Sequence, residues 1–256
     1  MMLTKEKNKK SNIVAIIAVR MGSKRLYGKP LYTIENKPVV GHLIDIFRKI
    51  PEINSVVLAT SDKEENKVFV EYAKKNKLFC HVDFNRDEED VLGRLIRAAE
   101  AVNAEHVVRA TSEGPIRYHN IGETIKQHLE GGADMTFTEK LPTGTNVEIL
   151  SLSAMKKAYE FNDKYHCAAA SLCMFEHPEM FKIEILTPPK GVQRPDIDLD
   201  VDTKENLLAM REIFKNVKKD KNGFVGVEDA LDFLKGKPHL VEMLTGGHKP
   251  EGRIWR

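Results

Sequence analysis

The sequence predicts an α/β fold with an open, mostly parallel, Rossmann-like sheet and helices on both of its faces. Two observations carry this expectation. Short apolar runs rich in β-branched residues alternate with longer segments of helical period, the rhythm of strand–helix–strand units. A chain of 256 residues, 41% hydrophobic and 30% charged, also has the composition of a large globular domain.

Residues 1–11 are polar and Lys-rich and read as a flexible tail, leaving 12–256 as a single domain. Ile13–Val19, Ser55–Thr60, Leu78–Val82 and Glu105–Ala110 read as strands. Between them, Val39–Ile50, Asp62–Asn76 and Asp87–Val102 place apolar residues near i, i+3, i+4 and i+7, as helices covering a sheet do. After Gly131-Gly132 the rhythm changes. Asp134–Thr138 and Asn146–Leu150 read as strands and Ser153–Glu160 as a helix, while 161–196 looks irregular. This makes a small sheet-extending lobe of about residues 134–175. Ile197–Val201 reads as a further strand, leading to a helix over Thr203–Asn216 with Thr203 as N-cap. A last helix at Val227–Leu234 precedes a polar, Gly-rich tail.

Several classes of function are excluded at once. A net charge of +2 leaves no footprint for nucleic acid or an anionic membrane. The longest apolar run, Ile13 to Val19, is too short to span a bilayer and ends at Arg20 with no small-residue cleavage site. Cys80, Cys167 and Cys173 are odd in number and lack zinc spacing, so they read as thiols in a reducing cytoplasm.

The chemistry concentrates in Arg20-Met21-Gly22-Ser23-Lys24-Arg25-Leu26-Tyr27-Gly28-Lys29-Pro30, directly after the first strand. In an open parallel sheet, ligands bind beyond the carboxyl ends of the strands, where this loop must lie. Glycines let backbone N–H groups approach an anion, Arg adds bidentate donors and Lys a point charge, which together suit a triphosphate. The P-loop is excluded, because five residues separate Gly22 from Gly28 and Pro30 follows Lys29. A merely solvated basic turn is the other reading of such a cluster.

The run "IIAVRMGSKRLYGKPL" resembles the opening of the CMP-sugar synthetases, the cytidylyltransferases that activate sialic acid and deoxy-octulosonate, and in particular the spore coat polysaccharide biosynthesis protein F family. The likeness continues through "VVLATSD", "EEDVLGR", "VVRATSEGP", "LDVDTKENL" and "PHLVEML", nearly the whole length. It implies a nucleotidyltransferase-type Rossmann-like fold, transfer of CMP from CTP to an acidic or modified sugar, and release of pyrophosphate. It also implies Mg2+ as cofactor and a homodimer paired through the inserted lobe, with neither nucleic acid nor membrane as partner.

By match, Arg20, Ser23, Lys24, Arg25 and Lys29 become phosphate ligands and Gly22 allows close approach, with Arg20 and Lys29 the principal catalytic cations. Ala18, Thr60, Asp62 and Arg94 join the nucleotide side. A helix-capping role for Ser61 or Asp62, and an i, i+4 surface pair of Arg94 with Asp90, stand beside those readings. Glu113 and Asp202 are the implied metal ligands, and Asp200 joins them because it stands two residues before Asp202 on the same strand face, with a capping and turn cluster before Thr203 as the alternative. Glu148 and His166 fall on the acceptor side.

The chain departs from the family pattern in four places. Tyr27 stands where the family carries Pro, and Glu113 where it carries Asp. Thr143 and Asn146 replace acidic residues, and Ala168–Ser171 replaces a polar stretch. Two other functions fit parts of the chain: a nucleotide-sugar glycosyltransferase, from the D-x-D spacing of Asp198, Asp200 and Asp202, and a catalytically silent nucleotide-binding protein.

Overall fold

The structure is a computed structural model and describes residues 11–84, 88–161 and 171–245. The chain opens with β1 (Ile13–Ala18), a short hairpin of β2 (Thr33–Ile34) and β3 (Lys37–Pro38), and α1 (Val39–Arg48). Then come β4 (Ser55–Ser61), α2 (Lys67–Lys75), β5 (Phe79–Asp83), α3 (Val91–Ala101), β6 (His106–Thr111) and α4 (Ile121–Gly131). The second half contains β7 (Met135–Thr138), β8 (Glu148–Ser151), α5 (Leu152–Phe161), α6 (Leu172–Glu176) and β9 (Ile183–Leu186). It closes with α7 (Lys204–Asn216), α8 (Val227–Leu234) and α9 (Pro238–Thr245).

The sheet has seven strands in the order β5-β4-β1-β6-β8-β7-β9. Pairing is parallel from β5 through β6, reverses at β8, and is parallel again between β7 and β9. Its two faces follow from the period-2 alternation of β1. Ile13, Ala15 and Ile17 pack with α1, α2 and α4, whereas Val14 and Ile16 pack with α3, α5 and α6. Helices therefore cover both faces, as expected. A third cluster joins α7, α8 and α9 to Leu26, Ile116, Leu199 and Val201, seating the C-terminal helices against the segments that carry the charged loops.

The strands at the start fall within one residue of their expected bounds, and the differences elsewhere have local causes. Ser61 and Asp62 do not cap a helix: a 3-10 turn at Glu64–Asn66 intervenes, and α2 begins only at Lys67. The third helix starts at Val91 because the Asp90 carboxylate caps it, accepting from the Gly93 N–H at 3.0 Å. Residues 197–201 form no strand. Their N–H groups go to separate partners, Asp198 donating to Leu244, Leu199 to Thr143 and Val201 to Glu113, with one bridge between Thr143 and Asp198. The expectation that Asp200 and Asp202 share a strand face is corrected accordingly. The irregular stretch contains α6 and β9, the polar tail contains α9, and α4 is additional. The tail 1–10, Asp87, Cys167 and Ala168–Ala170 lie outside the described residues. No described helix is long and apolar enough to cross a membrane.

Candidate active site

The loop after β1 is folded back on itself at the carboxyl edge of the sheet. The Met21 carbonyl accepts from the N–H groups of Ser23 and Gly28, both at 2.9 Å. Gly28 has φ 69°, the left-handed region, so a side chain there would strain the backbone and push aside the Met21 methyl carbon, which a Cβ would meet at 2.9 Å. The neighbouring strand pins the loop's root: the buried Thr60 hydroxyl donates to the Val19 carbonyl at 2.9 Å. Thr60 thus holds the loop, and Ala18 ends β1 in register with Ala59 and Thr111. Asp62 is exposed beside it.

Three of the loop's cations already face carboxylates. Lys29 Nζ donates to Asp202 Oδ1 at 2.6 Å and lies 3.0 Å from Glu113 Oε1. Arg25 Nη2 donates to Asp202 Oδ2 at 2.7 Å. Arg20 Nη1 pairs with Glu89 at 2.8 Å. Burial alone would lower the Lys29 ammonium, but Glu113 and Asp202 outweigh it and raise it above its ordinary range. Both oxygens of Asp202 therefore serve the loop's cations. The cap of α7 is built by Thr203 and Asn206 instead, so the capping alternative for Asp202 does not hold.

Asp200 is half-buried, and its Oδ1, kept from solvent, has no hydrogen-bond partner. Burial first, then the charges of Asp198 and Glu113, hold its carboxyl well above the usual range, against the pull of Arg117. Among the described residues no three of His, Cys, Asp and Glu gather into a ready-made metal centre. Ser23 accepts from the Leu26 N–H at 3.4 Å. Gly22 faces acids, for a Cβ there would lie 3.3 Å from Glu65 Oε1.

Arg94 is buried on α3 and donates to the Glu88 carbonyl at 2.7 Å. The expected pair with Asp90 does not form, because Arg97 takes Asp90 at 2.9 Å and chelates Asp83. Glu148, the first residue of β8, is buried opposite Arg109 of β6. Its Oε1 lies 3.0 Å from Arg109 and accepts from Ser171 at 2.9 Å, while Oε2 has no partner. His166 lies outside the described residues. Sequence reasoning passed over Glu88, Glu89, Arg109 and Arg117. Arg109 carried a signal, a charge inside an apolar strand, whereas the Arg20–Glu89 pairing spans 69 positions and shows in no local pattern.

A family model described as cytidylyltransferase matches residues 14–237. The spore coat polysaccharide biosynthesis protein SpsF of Bacillus subtilis is 25% identical over 89% of this chain and 96% of its own length. A 3-deoxy-manno-octulosonate cytidylyltransferase of Geobacter sulfurreducens is 30% identical over 57% of this chain and 56% of its own. Among solved structures, a cytidylyltransferase from Leptospira borgpetersenii superposes with a TM-score of 0.77 at 20% identity, covering 95% of this chain and 99% of that one.

Proposed function

Because this chain belongs to the cytidylyltransferase family, we propose that it transfers CMP from CTP to an acidic or modified sugar and releases pyrophosphate. The observation that carries the reading is the meeting of Arg25 and Lys29 with Asp202 and Glu113 at the carboxyl edge of the sheet. There, cations for a triphosphate and oxygen donors for a divalent ion occupy one place. The family match favours nucleotidyl transfer over the glycosyltransferase that D-x-D spacing suggested.

The acceptor oxygen attacks the α-phosphorus in line, and the bond to pyrophosphate breaks. Negative charge grows on the phosphate oxygens, and Arg20, Lys24, Arg25 and Lys29 stabilise it. The triphosphate takes over Lys29 and Arg25, which frees both Asp202 oxygens. Asp202 and Glu113, which share Lys29, would suit Mg2+, which favours one or two carboxylates together with substrate phosphates, and the unpartnered Asp200 Oδ1 stands two residues before Asp202. When bound, the ion supplies neutralisation of the phosphate oxygens. Glu148, held by Arg109 and Ser171, keeps an oxygen for an acceptor hydroxyl. The enzyme works in the cytoplasm as a homodimer paired through the segment around 134–175.

Pyrophosphate release from CTP with Mg2+ is the test, across sialic acid, deoxy-octulosonate and acylated or deoxygenated nonulosonates. Turnover is expected for the apolar-substituted acids, because Ala168–Ser171 offers few groups to reward extra hydroxyls. Binding of CTP without turnover of any acceptor would favour the catalytically silent alternative.

A further inference from the structure

One buried charge has no part in the mechanism above. Arg117 lies on the turn after β6 between Ile116 and Tyr118, both packed in the core under α7, α8 and α9. Its Nη2 donates to the Thr111 carbonyl at 3.0 Å and its Nη1 to the Ile116 carbonyl at 3.3 Å, while Nε has no partner. A guanidinium kept from water with a donor unpaired is costly, and an apolar side chain would fill the same space without that penalty.

What surrounds it gives the charge a purpose. A Cβ at Gly114 would lie 2.1 Å from Arg117 Nη1 and 2.2 Å from the Gly144 carbonyl, and one at Gly144 would lie 2.4 Å from Asp200 Oδ1. Arg117, Gly114, Gly144 and Asp200 are therefore stacked with no space between them. The turn that Arg117 clamps carries Glu113, whose carbonyl accepts from the Val201 N–H at 2.9 Å, between Asp200 and Asp202. Asp200 and Glu113 are also the carboxyl groups near enough to Arg117 to favour its charged form.

We infer that Arg117 is a positioning residue: its forked guanidinium sets Glu113 against Asp200 and Asp202, and with them the place of the metal on the triphosphate. The inference rests on the CMP-transfer reading. Its fork serves two carbonyls at once, which a lysine ammonium does not reproduce.

The test uses the full chain with CTP and no acceptor, titrated with Mn2+ and followed by electron paramagnetic resonance. Pyrophosphate release against Mg2+ concentration, with an acceptor that gives turnover added, runs alongside. Arg117→Met is expected to weaken Mn2+ binding and lower kcat by about ten- to a hundredfold, the range for residues that orient metal ligands. KM for CTP stays within about threefold, because the phosphate-loop cations remain in place. Arg117→Lys is expected to fold and to fall between Met and wild type. Variants that melt at lower temperature but bind Mn2+ and turn over as wild type does would overturn the inference, as would failure of both to fold, which would make Arg117 a packing residue. If wild type itself took up no Mn2+ with CTP, the CMP-transfer reading would fall instead.

Discussion

At the residue scale the site turns on Lys29, whose ammonium joins Glu113 to Asp202. Lys29→Met should lower pyrophosphate release at least about a hundredfold, the usual cost of losing one fixed donor to transition-state charge. Circular dichroism serves as the folding control, and a folded variant with the wild-type rate would remove the loop from the mechanism. Asp202→Asn should abolish metal-dependent turnover while leaving α7 capped by Thr203 and Asn206. Full activity in that variant would reduce Asp202 to an anchor for Arg25 and Lys29. The basic loop was legible in the sequence because its charges and glycines are contiguous and directly follow a strand. Glu89 and Arg117 were not, since their roles arise from partners brought together only by folding.

At the element scale, α7 depends on a reciprocal cap. The Asn206 N–H donates to the Thr203 hydroxyl, and the Thr203 N–H to the Asn206 side chain. Asn206 Oδ1 also accepts from the Asp202 N–H, so the cap holds the segment that bears the metal-ligand candidates. Thr203→Ala should cost about 1 kcal/mol in urea unfolding, and an unchanged midpoint would show that the tertiary contacts of α7 suffice. Thr203 was legible because N-caps have a local signature. The helix α4 was not, because His128 fills a buried position where periodicity looks for an apolar residue and Leu129 is exposed. The strand expected at 197–201 failed for a related reason: its alternating apolar and Asp residues imitate a strand, but the backbone bonds two loops and α9 and no single neighbouring strand.

At the scale of the whole molecule, a partly buried chain of side chains crosses the sheet's second half. His106 Nδ1 lies 2.9 Å from His128 Nε2, His128 Nδ1 lies 2.9 Å from the Thr136 hydroxyl, and that hydroxyl donates to Glu184. The network suits neutral His128 with its proton on Nδ1, donating to Thr136 and accepting from His106. Burial first, then the neighbouring His106, pushes His128 down to about 4. The unfolded chain takes up this proton near pH 6.5 and the folded one only near 4. Between those values the unfolded state binds more protons, so stability is complete above about pH 6.5 and falls as pH drops, by up to about 3 kcal/mol. Urea midpoints at pH 7.5 and pH 5 should separate less in His128→Gln than in wild type, and equal separation would contradict the assignment. Light scattering should give the mass of a dimer at micromolar concentration, and a monomer would count against pairing through residues 134–175. The reversed strand β8 has a further consequence. The other strands send their loops to the ligand edge as they leave the sheet, whereas Glu148 reaches that edge as its chain enters. The connections around β7 and β8 are thereby free to lengthen or be exchanged without shifting the register of β1, β4 and β6. A change of length between β7 and β8 is therefore expected to move Glu148 while the pairing of β1 with β4 and β6 stays in place.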